Sequence, residues 1–412
     1  MSALRPTRRY HFHTPGVLYV LVTLFLAVGA VNSQNNLLFA ALGLAIGGLL
    51  VSGVLSGASL LGVTVSRERT LSAAVGRPLS ITYALGNSNR VFPSFGLNIC
   101  EWRSASSGAR ANWPARVPEP RAFAAHIGPR RSVTAAATVI PFRRGRVELT
   151  AVRIWSTFPF GLARKSVTFD VAQSFIVHPL ELRLRAGLVS RLTSRAPMGR
   201  GAERNPGAGD EIYGIREYTP GDSPKRIAWR RSARTGEVVV RQNSAPAPLK
   251  IWVLLRLDPD PAARAEPITT ERAVALAAAL VRELLEADVS VGLAVASPRV
   301  VIPPSSGRRH AERLLNELAV VEPAPTDEPA PIPAPVVRGG ACVVVHAAAI
   351  RPGLGPRGAT HLSAHELESY VAPAAASSLH FLEPISGDSA EGRESWTRVL
   401  VRRAVHAIGG SA

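Results

Sequence analysis

Cysteine, methionine and aromatic side chains are scarce in this chain: two cysteines, two methionines and 6% Phe, Trp and Tyr among 412 residues. Cys100 and Cys342 lie far apart and form no Cys-x-x-Cys pair, which excludes a disulfide framework and a structural zinc site and leaves reduced, packed thiols of a cytosolic domain. Long blocks of Lys and Arg are missing too. The formal net charge is +18, yet the basic residues are almost all arginine and are scattered. With so few aromatics between them, the footprint of a nucleic-acid surface is absent and no nucleic acid is expected. No glycine loop of phosphate-binding type occurs, since Gly199-Arg-Gly201 is too short. Asp210 and Glu211 are adjacent acids with nothing nearby to tune them for general acid-base work.

The length suits a membrane segment plus two globular domains. Residues 1–14 form a short N-terminal segment, and residues 15–61 hold two apolar runs. Gly16 to Val31 is almost purely apolar, and Leu37 to Leu61 carries no charge. At about 1.5 Å per residue both reach across a hydrocarbon core, the first marginally. Asn32-Ser-Gln-Asn-Asn36 between them is too short to cross, so the sequence predicts an antiparallel helical hairpin, the form that satisfies every backbone group in lipid. Arg5, Arg8 and Arg9 precede the first run, and Arg67 and Arg69 follow the second. The positive-inside rule then puts both ends, and everything after residue 62, in the cytosol of an inner-membrane protein. A cleaved signal peptide ending at Val28-Gly29-Ala30 is the rival, opposed by the second run that follows at once. Gly43/Gly47 and Gly53/Gly57 are small-xxx-small pairs. Close packing within the hairpin accounts for them, with self-association into a homo-oligomer as the alternative.

Residues 62–180 have a different texture. Leu79–Leu85, Ser132–Val139 and Arg146–Ile154 alternate as half-buried strands do, and Gly86-Asn87, Gly128-Pro129, Arg144-Gly145 and Phe158-Pro-Phe-Gly161 punctuate them. Short strands at this spacing predict a β-sandwich of immunoglobulin-like type. From residue 250 to 412 strands and helices alternate: strands at Lys250–Leu257, Val289–Ala296 and Ala341–His346, helices at Ile268–Glu286, Arg309–Leu318 and Glu391–His406. That pattern predicts an α/β doubly wound sheet. The Pro/Ala-rich stretch 322–337 reads as an extended surface connection.

Between these regions, residues 181–249 contain the densest run of charged, aromatic and turn-forming residues, from Asp210 to Gly236. Thr219-Pro-Gly-Asp222 is a turn in which Gly221 can take positive φ. Ser223 to Ala233 then predicts a short helix capped by Ser223 or Asp222, with Pro224 in its first turn. Lys225, Arg226, Arg230 and Arg231 surround Trp229, and Glu237–Arg241 resumes as a strand. Three uses fit this composition. Arg216, Glu217, Asp222, Arg226 and Arg234 can form a salt-bridge network. Arg216, Glu217, Tyr218, Asp222, Arg226, Trp229, Arg230 and Arg234 can form a docking surface, because Trp, Tyr and Arg are typical interface anchors. A phosphate or nucleotide site is the third, since Arg clusters suit anions.

The same run resembles the hallmark of the domain of unknown function 58 family, matching it at Glu211, Arg216, Glu217, Tyr218, Pro220, Gly221, Asp222, Arg226, Ile227, Trp229, Ser232, Ala233, Arg234 and Gly236. Asn35-Asn36-Leu-Leu, Arg143-Arg-Gly-Arg146 and Phe158-Pro-Phe-Gly161 resemble the family's longer, membrane-anchored members. Ala228 stands where the family often has Asp, and Arg241-Gln242 where it has Lys-Glu. The resemblance implies a C-terminal domain like von Willebrand factor A and partnership with a MoxR-type AAA+ ATPase in a chaperone-like or complex-assembly role; with no nucleophile-base-acid set in the sequence, a non-enzymatic membrane protein without cofactor is expected. The intact form of that domain holds Mg²⁺ through Asp-x-Ser-x-Ser; here Asp258-Pro-Asp260-Pro lacks the serines, leaving Asp258 and Asp260 as the weak metal candidates. A membrane-bound, metal-dependent hydrolase of envelope precursors is the alternative function. His361 and His365, at helical i,i+4 spacing, lack the glutamate of a zinc helix and read as the start of a surface helix.

Overall fold

The computed structural model describes residues 7–12, 14–68, 73–103, 111–194, 212–243, 249–257, 267–296, 299–323, 331–338, 341–348, 350 and 355–383. Asp210, Glu211, Gly199–Gly201, Asp258, Asp260, Arg69 and the expected helix Glu391–His406 lie outside them. The chain divides into two compact units, Met1–Glu181 with Glu383–Ala412, and Leu182–Leu382.

The first unit opens with strand β1 (Thr7–Phe12), followed by helices α1 (Thr14–Ser33) and α2 (Asn36–Ser59). Both helices are long and apolar enough to cross a membrane. They pack side by side, and the Tyr19 hydroxyl donates to the Ala45 carbonyl at 3.2 Å. The glycine pairs on α2 do not make that contact. A Cβ added at Gly43, Gly47 or Gly53 would meet nothing within 4 Å, so close packing inside the pair is not their role. The close approaches are at Gly48, under the Tyr19 hydroxyl, at Gly57, beside the Lys165 amine, and at Gly16, where a Cβ would run into the Leu162 carbonyl oxygen.

The strands that follow are β2 (Val63–Arg67), β3 (Ala73–Ala74), β4 (Leu79–Asn87), β5 (Ser94–Trp102), β6 (Arg121–Ile127), β7 (Ser132–Val139), β8 (Gly145–Ser156) and β9 (Ala163–His178). They form two sheets, one ordered β1-β9-β8-β5-β6 with β3 against β9, the other β2-β4-β7. Alternation drives this: Leu79, Ile81, Tyr83 and Leu85 are buried, as are Leu97 and Ile99 on β5 and Val147 and Leu149 on β8. Strand β1, ahead of both apolar helices in sequence, pairs antiparallel with β9 from Thr7↔Thr168 to Phe12↔Ala163.

One polar cluster ties the two sheets together. Arg67 on β2 grips Glu101 on β5 through two parallel bonds, Nε to Oε1 at 2.8 Å and Nη2 to Oε2 at 2.7 Å. Their side chains are 1% and 0% exposed. The Tyr83 hydroxyl on β4 donates to the same carboxylate at 2.9 Å, and Arg67 also donates to the Val171 carbonyl on β9. Burial, then the Glu101 charge, pushes the Tyr83 phenol far up. Arg67, counted among the flanking cations in sequence, is therefore an interior residue. Cys100 and Cys342 are both free and buried, and burial raises their thiols to about 11 and about 12.

In the second unit, α3 (Leu188–Ser194), β10 (Ile212–Glu217), α4 (Trp229–Thr235) and β11 (Val239–Asn243) precede β12 (Lys250–Arg256), α5 (Pro267–Glu286), β13 (Ser290–Val295), β14 (Val300–Ser305), α6 (Arg308–Val320), α7 (Ala334–Arg338), β15 (Ala341–His346) and β16 (Thr360–Ser363). The five-stranded sheet runs β14-β13-β12-β15-β16, parallel except for β14 at the edge. Its central strands are apolar on both faces, as a covered parallel sheet requires. Helix α5, buried at every position from Ala273 to Val281, packs on β12, β13 and β15 and is itself covered by α6. The opposite face carries Trp252, Leu254, Cys342 and Val344, packed against Val336 and Ile332. Part of the stretch expected as an extended surface connection is thus the short helix α7. Val336 is drawn inside because that face of the sheet would otherwise be left wet.

Candidate functional site

The signature residues form a strand pair with a knob at its end. Strands β10 and β11 pair antiparallel, and Tyr218 N–H donates to the Val238 carbonyl at 2.9 Å where the strands part. The turn Thr219–Asp222 follows, with Gly221 at φ +113° and Asp222 N–H on the Thr219 carbonyl at 3.0 Å. Asp222 locks it. Its carboxylate accepts from the Arg216 guanidinium and from Thr219 N–H at 3.0 Å, and Arg216 also donates to the Thr219 hydroxyl at 2.6 Å. The Arg216 bond, reinforced by Thr219, holds the Asp222 carboxyl down at about 2, and the Arg216 guanidinium is raised in turn.

The expected single helix from Ser223 to Ala233 is two pieces. Pro224–Arg226 is a 3-10 turn, and α4 starts only at Trp229. The break comes from Ile227, which is pulled extended (ψ 130°) into a bridge with Val240, while Ala228 N–H bonds the Val239 carbonyl at 2.9 Å. Neither expected cap works as one: Ser223 makes no side-chain cap bond, and Asp222 is committed to Arg216. Ser232 provides the fixing contact of α4. Its hydroxyl donates to the Ala228 carbonyl at 3.3 Å and accepts from Val239 N–H at 3.0 Å. Gly236, in the left-handed conformation, ends the helix.

Ser232 is the buried residue of α4, so the rest of this helix points outward. Trp229 is 66% exposed, with Tyr218, Ile215 and Val238 exposed as well. Lys225, Arg226, Arg230, Arg231 and Arg234 are exposed around them. The expected five-member salt-bridge network reduces to one pair. Among the described residues Arg216 binds Asp222, while Glu217, Arg226 and Arg234 enter no ion pair. The arrangement is an exposed, cationic, tryptophan-bearing face, suited to an acidic partner surface.

A second cluster sits at the carboxyl ends of the parallel strands. Arg256, His346 and Ser363 share one register row across β12, β15 and β16, all buried. His346 Nε2 lies 2.8 Å from His361 Nδ1 with the rings stacked, so one ring donates and the other accepts. Burial lowers the pKa of His361. This corrects the helical reading of the histidines: His361 is on β16, His365 is on the 3-10 turn Ala364–Glu366, and they do not share a helix face. The pairing with His346 left no trace in the sequence, being distant in the chain. Among the described residues no group of three or more metal-ligating side chains forms.

Residues 214–346, from β10 to the end of β15, match the model of a family described as a protein of unknown function, DUF58. An uncharacterized protein, YeaD of Bacillus subtilis (strain 168), is 21% identical over 193 residues. The alignment spans 46% of this chain and 46% of that relative, so the chain covers about half the length of the curated relative it matches.

Proposed function

We propose that this chain is a membrane-tethered docking and assembly factor, acting by binding and not by catalysis, whose surface from Arg216 to Arg234 engages a MoxR-type AAA+ ATPase. In this reading α1 and α2 are a two-span hairpin of the inner membrane. The two antiparallel sheets are an immunoglobulin-like sandwich, the parallel-sheet unit is a degenerate von Willebrand A-like domain, and both stand on the cytosolic side.

The observation that supports docking most directly is Trp229, exposed at 66% on a helix that the Ser232 bonds hold in place. Exposing a large aromatic costs solubility, and crowding five cations around it costs self-repulsion. Both are relieved by an acidic surface with an apolar pocket, where a buried Trp and its Arg neighbours supply most of the binding energy. The ATPase as the source of that surface follows from the family resemblance. Co-purification with the ATPase tests it: Trp229→Ala or Arg226→Glu abolishes capture while membrane insertion is unchanged. Capture at the wild-type level by both variants would remove this surface from the proposal.

A further inference from the structure

Both apolar helices and three loops of the first unit meet at one end of it. Helix α1 leaves β1 there, α2 enters β2 there, and the loops β4–β5 (88–93), β6–β7 (128–131) and β8–β9 (157–162) turn there, as the strand registers require. We propose that this end is itself a lipid-contacting face, seated in the headgroup layer of an anionic bilayer. Val91, Phe92 and Phe160 point toward the acyl boundary, and Arg90, Arg130 and Arg131 bind headgroup phosphates. The proposal rests on the reading of α1 and α2 as membrane spans.

Helix length is the first argument. The Lys165 amine donates to the Gly53 carbonyl at 2.9 Å, so the β body already grips α2 six residues before its end at Ser59. Ser59 binds the body as well, accepting from Phe95 N–H at 3.1 Å. From Gly53 back to Asn36 leaves about 26 Å of helix, at ~1.5 Å per residue. On α1, Gly16 abuts the Leu162 carbonyl, and from there to Ser33 is again about 26 Å. A hydrocarbon core is about 30 Å thick. The free helices are too short to hold the body clear of the bilayer, and any tilt shortens them further.

The chemistry of the tips agrees. Val91 is 71% exposed, Phe160 58% and Phe92 46%, which is unusual crowding for a water-facing loop end. Arg90, Arg130 and Arg131 beside them are exposed and make no ion pair among the described residues. Apolar tips with a basic fringe are what an interfacial surface requires. The tips are also held in place. Asn87 donates to the carbonyls of Phe92 and Ile127, Asn89 accepts from Val91 and Phe92 N–H, and Arg130 N–H bonds the Asn89 carbonyl. Little conformational entropy is therefore lost when the loops meet the lipid.

The test uses the full chain in vesicles of phosphatidylcholine and phosphatidylglycerol, with a nitroxide on one introduced cysteine: Phe160→Cys, Val91→Cys, Leu24→Cys in α1, or Ala115→Cys at the opposite end of the body. Cys100 and Cys342 are buried. Collision with oxygen against a water-soluble nickel chelate reports depth. Labels at 160 and 91 are expected to shift from the aqueous value at 115 toward the lipid value at 24. Replacing Arg90, Arg130 and Arg131 together by Gln is expected to move the label at 160 back toward water. An aqueous value at 160 and 91 with a lipid value at 24 overturns the inference and leaves the membrane spans standing. An aqueous value at 24 overturns both.

Discussion

Glu101 is the residue on which the first unit turns. Fully buried, it holds the Arg67 guanidinium by a two-bond fork and takes a third bond from Tyr83, so residues of three strands share one carboxylate. A buried pair of this kind contributes little net stability against well-packed apolar residues, but breaking it strands a charge. Glu101→Ala is expected to cost about 3–5 kcal/mol. The double replacement Arg67→Met with Glu101→Leu is expected to cost far less. Amide-exchange protection in β4 and β5 measures both, and equal losses in the two variants would mean that the charges are not coupled. At the surface the logic is reversed. Asp222 gathers Arg216 and Thr219 to shape a turn, and its neighbours Arg226, Arg230 and Arg234 are left facing outward.

Among the elements, α2 and α4 show how little composition says about contact. Helix α2 carries glycines along its length, but the one tight approach to a backbone in this region belongs to Gly16 on α1. Gly16→Ala would drive a methyl into the Leu162 carbonyl and is expected to destabilise the junction by about 1–3 kcal/mol, the usual cost of overpacking. Gly43→Ala, with open space around it, is expected to be neutral. Thermal unfolding of the detergent-solubilised chain compares them, and equal midpoints would refute the distinction. Ser232 is the single buried residue of helix α4, so the outward face of the helix is open to binding, as the Trp229 variant tests.

For the molecule as a whole, β1 matters more than its six residues suggest. A strand hydrogen-bonded to β9 along Thr7–Phe12 must lie on the same side of any membrane as the β body. With α1 and α2 between β1 and the body, crossings must come in an even number, independently of any charge rule. Activity reporters fused at the amino and the carboxyl terminus are therefore expected to be active in the same compartment, and in the proposed setting that compartment is the cytosol. Reporters active in different compartments would contradict the even number of crossings, and a carboxyl-terminal reporter active only in the periplasm would contradict the proposed cytosolic setting and the encounter with an ATPase.

Periodicity and punctuation alone determined the two apolar helices, the alternating strands Leu79–Leu85 and Ser132–Val139, and the alternation of β12, α5, β13, α6 and β15. These are local signals, written within a few turns or pleats of chain. The turn at Gly221 was legible for the same reason. The same signals missed the edge strand β14 (Val300–Ser305), and Gly86-Asn87, expected as a turn, continues strand β4 because it pairs with β2 and β7. Tertiary structure decided what depends on residues distant in sequence. It buried Arg67 on Glu101, drew Val336 under the sheet, paired His346 with His361, and broke the signature helix at Ile227 to satisfy Val240. A side chain's type records what it can bind. Only the folded chain brings its partner within reach.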